Sequence, residues 1–175
     1  MLAEVRDCLF TVAWFGLMTS VWFGWAQESP VARLRVPLIV GAGTGVALAA
    51  GFGVLTGLHW NDPTALDGRY AIFGIVVGAE VVLAGAGAIA LASTGRAGWT
   101  AWWVALVVAV HFVSLAWLLR GPSLAVLGSV QVVVLAAGVR VARGMRNPSS
   151  RWVGPVMGVT ILGYALISAV IVIRV

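Results

Sequence analysis

The chain has 175 residues, 61% of them hydrophobic and only 10% charged. Its mean hydropathy of +1.03 excludes a soluble globular domain and points to an integral membrane protein. All eleven basic residues are arginines and the formal charge is +5. Because they flank apolar runs, they suggest membrane lipid headgroups as partners, and no nucleic acid.

Six apolar segments, at 8–27, 37–58, 70–93, 99–119, 122–142 and 152–173, are each long enough to cross a hydrocarbon core of about 30 Å as a helix. They are unbroken, where a membrane β-barrel would show short alternating stretches. The expected fold is an all-α, six-transmembrane-helix bundle forming one domain over 1–175. Spending nearly the whole chain on spans leaves no room for a soluble catalytic domain. Activity is therefore sought in the helices and their short loops.

Before the first segment, Arg6 stands among Glu4 and Asp7, and no small-residue cleavage site follows, so the segment reads as a retained helix. Cys8 is the single cysteine, which excludes an internal disulfide. His59 and His111 are too few for a zinc cluster or paired-histidine haem, and no metal or cofactor is expected. Thr19 and Ser20 lie mid-segment, and Trp22 is assigned to a core or a path. The other eight tryptophans fall near segment ends as interfacial belts.

The second segment opens with Pro37, whose missing N–H costs nothing in a first turn. It carries Thr44 and a groove of Gly41, Gly43, Gly45, Gly51 and Gly53. Residues 59–69 form the longest loop, with an Asp-Pro start and a Gly stop around room for one helical turn. This loop reads as a cap at the membrane surface.

The third segment holds the sharpest signal. Glu80 is the one charge between Tyr70 and Arg96, near mid-span, where an ionised side chain costs about 2.5–3.5 kcal/mol or more. At 100° per residue, Phe73, Val76, Val77, Ala84 and Gly87 share its face, while Gly74 and Gly78 lie nearly opposite. This predicts a two-faced helix, central in the bundle or at a subunit interface. Its glycine side is expected to meet the second helix, or to join the second helix in a homo-oligomer.

His111 in the fourth segment falls at the depth of Glu80 and is its natural partner, the two forming either a neutral hydrogen-bonded pair or an ion pair that shares a proton. Gln131 in the fifth and Tyr164 in the sixth reach the same level, completing a candidate solute- or proton-binding set of Glu80, His111, Gln131 and Tyr164. Thr160, Tyr164 and Ser168 recur every four residues. Thr160 and Ser168, with Trp22, are candidates to line a path. The bland reading of such groups is interhelical hydrogen bonding, and it serves Thr19, Ser20 and Thr44 well. Pro122 opens the fifth segment, Ser149 or Ser150 can cap the sixth, and Arg140, Arg143, Arg146 and Arg151 form a cluster suited to anionic headgroups.

Loops after odd-numbered segments carry Arg33, Arg35, Arg96, Arg140, Arg143, Arg146 and Arg151, against Arg6, Arg69, Arg120 and Arg174 on the other side. The bias makes the first set cytoplasmic and both termini extracytoplasmic, in a multi-pass protein of the cell membrane. Trp14–Phe23 aligns weakly with Trp103–Phe112, and Arg69-Tyr70 with Arg151-Trp152, which raises a 3+3 inverted repeat. The leading functional expectation is a channel or transporter for a small polar solute or protons. An enzyme acting on lipid or quinone, or a non-catalytic assembly partner, are the alternatives.

Overall fold

The computed structural model describes residues 4–142 and 147–174, and every element among them is helical. The helices are α1 (Val5–Ala26), α2 (Arg35–Leu58), α3 (Tyr70–Ser93), α4 (Thr100–Leu118), α5 (Pro122–Ala142) and α6 (Ser150–Ile173). All six are long and apolar enough to cross a membrane. The expected bounds hold closely, with one consequential difference. α1 starts at Val5 rather than Cys8, which brings Asp7 into its first turn.

Two helices stop in the same way. At the end of α3, Gly95 takes φ 70° and the Arg96 N–H reaches back to the Leu91 carbonyl at 2.7 Å. At the end of α4, Arg120 takes φ 52° and the Gly121 N–H reaches Ala116 at 2.9 Å. Both closures satisfy carbonyls that a helix end leaves without partners.

α1 packs along α2 and α6, and α4 packs along α5 and α3, while α6 also touches α2, α4 and α5. Small residues permit the close approaches. A Cβ on Gly16 would stand 2.6 Å from the Gly45 carbonyl, so α1 and α2 meet nearly backbone to backbone. The Phe23 ring fills the room left by Gly41 on α2 and Gly158 on α6. The main core gathers Phe15 and Trp22 from α1, Phe112 from α4, Leu124 and Leu135 from α5, and Met157 and Ile161 from α6.

α3 departs from expectation. It contributes no buried residue and packs chiefly on α4 and the 3-10 turn Ala97–Trp99, so it is peripheral, not central. Its predicted glycine contact with α2 is not made: α2 is taken up by α1, and both Gly74 and Gly78 face open space. The face carrying Glu80 is the one turned toward α4. Glycine spacing showed which side could be approached, but competition among six helices decided what approached it.

The loops segregate by side. Ser149 donates its N–H to Gly98 at 2.7 Å and the Ser150 hydroxyl donates to Glu28 at 2.7 Å, joining the three loops that follow α1, α3 and α5. Ser149 is the N-cap of α6, but its oxygen accepts from the Trp102 N–H at 3.1 Å and ties down α4 instead of capping its own helix. On the opposite side the loop between α2 and α3 forms consecutive turns rather than a helical turn. Arg6 lies over Trp60 at 4.4 Å there, and Arg69 over Trp117 at 5.7 Å. Arg140 is exposed and Arg151 half-buried, on the Ser149 side. Arg143 and Arg146 lie outside the described residues.

Candidate functional site

Glu80 and His111 come together where α3 leans on α4, with Glu80 Oε2 3.3 Å from His111 Nε2. The side chains are 22% and 8% exposed, so the imidazole is enclosed and the carboxylate stands at a rim. One turn and more toward the loop between α3 and α4, the Trp103 indole occupies the notch at Gly87 and donates to the Leu83 carbonyl at 2.9 Å. These two contacts hold the α3–α4 seam. A glycine at position 87 is needed because any Cβ there would run into the indole.

Grooves lie on both sides of the pair. The first, about 270 Å³, is bounded by α1, α3 and α4 and runs from Glu80 and His111 to Asp7, Leu66 and Leu119 at the membrane surface. Its walls are apolar, with Phe10 and Trp14 stacked nearly parallel at 6.4 Å between centroids. Both rings are also exposed sideways, Trp14 by 47%, so the groove opens laterally as well. The second groove, about 330 Å³, follows the seam from Ser114 past Glu80 and His111 to Leu83 and Trp103. Beyond Trp103 a third cavity of about 560 Å³ continues along Gly87, Leu91 and Thr94 to Arg96. Trp103 borders both of these cavities.

Asp7 is buried. Its carboxylate accepts from the Thr64 hydroxyl at 2.6 Å and from the Ala65 N–H at 2.8 Å, docking the 59–69 loop over the outer end of the first groove. The loop thereby places Leu66 in the groove wall.

The other expected site residues go elsewhere. Gln131 is fully buried and donates to the Thr160 hydroxyl at 2.8 Å, and its own carbonyl oxygen has no partner among the described residues. Tyr164 shares a 2.8 Å hydrogen bond with Ser123, and its ring meets Phe15 at 5.3 Å. Thr160 bonds back to Val156 at 2.9 Å, and the Ser168 carbonyl faces Cys8 Sγ at 4.0 Å. Gln131, Thr160, Tyr164 and Ser168 border neither groove beside Glu80, and the polar stripe of α6 works here as a packing face. Trp22 is buried and stacked on Trp25 at 5.5 Å. Thr19 and Thr44 bond to carbonyls four residues back, and Ser20 bonds across to Ala42 at 2.8 Å.

Sequence reasoning missed Asp7, Trp14 and Trp103. Apolar length alone starts the first helix after Asp7, and position near segment ends puts both tryptophans in interfacial belts. Extending α1 by one turn would have put Asp7, Thr11 and Phe15 on one stripe at four-residue spacing, beside Phe10 and Trp14. For Trp103 the readable signal was Gly87 on the same face as Glu80.

Compared with protein-family models, curated proteins and solved structures, the chain gives no match.

Proposed function

We propose that this chain is a proton-handling transporter of the cell membrane, with Glu80 and His111 as the pair that takes up and releases the proton. The observation that carries this reading is the contact between an acid and an imidazole with grooves on either side of it. An intramembrane ionisable pair is a functional site by default, and two groups at this distance can hold one proton between them. Of the small polar solute and the proton expected from the sequence, the walls favour the proton, since aromatic and aliphatic side chains offer a polar solute few partners.

The pair exchanges its proton through the outer groove and passes it inward along the α3–α4 seam. Trp103, seated at Gly87 between the second groove and the cavity that runs to Arg96, acts as the inner gate. The arginine-rich side, with Arg96, Arg140 and Arg151, is cytoplasmic, and both termini are outside. The open glycines of α2 and α3 are available to a second copy of the chain. The neighbour pattern also suits the inverted repeat, because exchanging the first three helices with the last three maps the α1–α2 seam onto α4–α5 and the α1–α6 seam onto α4–α3.

Proteoliposome proton flux tests this directly. Glu80→Gln should abolish flux and Trp103→Ala should raise leak. Wild-type flux that Glu80→Gln leaves unchanged would remove the pair from the mechanism. The lateral opening also gives the enzyme reading its one supporting observation. However, Thr11 and Ser114, the hydroxyls bordering the grooves, show no hydrogen bond to Glu80 or His111 that would activate either as a nucleophile.

A further inference from the structure

Resting on the proton-handling reading, we infer that the groove between α1, α3 and α4 binds a lipophilic cation, an alkylammonium whose head sits at Glu80 and whose chain lies along the Phe10–Trp14 wall. Three observations converge on that chemistry.

The first is shape. The groove extends from Asp7 to Phe15 on α1 and from His111 to Leu119 on α4, about 12 Å at the helical rise. It is an elongated slot with mostly apolar walls, a shape that an extended hydrocarbon chain can follow from end to end.

The second is charge. Glu80 at one end and Asp7 at the other line the groove, and among the described residues no arginine does. A head-group position with one acid beside an imidazole, and no guanidinium in the groove wall, suits a positive ligand and repels an anionic lipid headgroup.

The third is the wall. Phe15, whose ring meets Phe112 at 5.1 Å, places α1 at the depth of His111, so Trp14 beside it stands near the level of Glu80. An aromatic face next to a carboxylate in apolar surroundings is the arrangement that holds ammonium groups. The sideways exposure of Phe10 and Trp14 gives a chain already dissolved in the bilayer its way in.

Binding displaces the proton. Where the pair holds its proton on Glu80, the carboxyl releases H⁺ as the ammonium arrives, leaving a carboxylate–ammonium pair, and the proton departs through a groove or onto His111. The titratable group facing Glu80 is His111 from α4; Asp7 from α1 lies at the far end of the groove, held by Thr64 and Ala65. The Ala97–Trp99 turn contributes none.

The test uses the full chain in nanodiscs of neutral lipid, with decyltrimethylammonium, decanol and decanoate as probes in equilibrium dialysis. The cation should bind saturably. Decanol and decanoate should bind about tenfold more weakly or not at all. Raising the pH should tighten cation binding by up to about tenfold per unit where the pair titrates. Glu80→Gln should weaken binding about tenfold and Trp14→Leu about threefold, each in protein that keeps its wild-type size-exclusion profile. Equal binding of all three probes, or Glu80→Gln affinity equal to wild type, would overturn the inference. The two proposals fail separately. Glu80-dependent proton flux without cation selectivity sinks the ligand assignment alone. Selective, Glu80-dependent cation binding with no proton flux in proteoliposomes leaves the ligand assignment standing and removes the transport reading beneath it.

Discussion

His111 Nε2 stands 3.3 Å from Glu80 Oε2 across the α3–α4 seam, with the imidazole enclosed and the carboxylate at the rim of two apolar grooves. The pair links a peripheral helix to the core, because α4 is anchored by α5 while α3 has little other support. Each member compensates the other for the loss of water.

Removing one partner therefore leaves a polar group facing apolar walls. Glu80→Leu and His111→Leu should each destabilise the protein by about 1–3 kcal/mol. The double variant should be more stable than the sum of the two predicts, with a coupling of about 1 kcal/mol. Thermal unfolding of the four proteins in detergent measures the cycle. Additive losses would mean that the two groups do not interact.

The seam's second contact predicts a contrast between glycines of one helix. Gly87→Ala drives a methyl group into the Trp103 indole and should cost about 1–3 kcal/mol, with a shift in tryptophan emission as the ring is displaced. Gly78→Ala meets open space and should be neutral or slightly stabilising, since alanine is the better helix former. Equal effects in a thermal-shift assay would contradict the seating of Trp103.

If the protein moves protons as proposed, Gln131 should be dispensable for that flux. Its amide is buried with the oxygen unpartnered, and a half-satisfied polar group costs more than an apolar one of similar shape. Gln131→Met should raise stability by about 1 kcal/mol and leave proton flux at the wild-type level. A loss of flux would restore Gln131 to the site.

Asp7 docks the loop between α2 and α3. It accepts two hydrogen bonds from Thr64 and Ala65 and sits in the first turn of α1, where a negative charge also suits the helix dipole. Asp7→Ala should destabilise by about 2–3 kcal/mol and expose residues 59–69 to limited proteolysis, at a rate that mass spectrometry of the fragments can follow.

The six spans, their approximate ends and the membrane-spanning class could be read from the chain alone, because apolar length and helix-breaking residues act locally and need no partner. The depth of Glu80 and of His111 was readable for the same reason, since position along a span depends only on counting residues. Depth and chemistry suggested His111 as the partner of Glu80, but which other groups at that depth would join them was not readable. Gln131 and Tyr164 share that depth, but the packing of α6 against α5 turns them toward Thr160 and Ser123. Depth is a property of one helix, whereas azimuth relative to a neighbour is settled by how all six compete for contact. The grooves, the seating of Trp103 at Gly87 and the bonding of Asp7 to the loop between α2 and α3 all depend on which helices lie side by side. Hydrophobicity, uniform around these helices, could not order them, and steric fit between small and large side chains did.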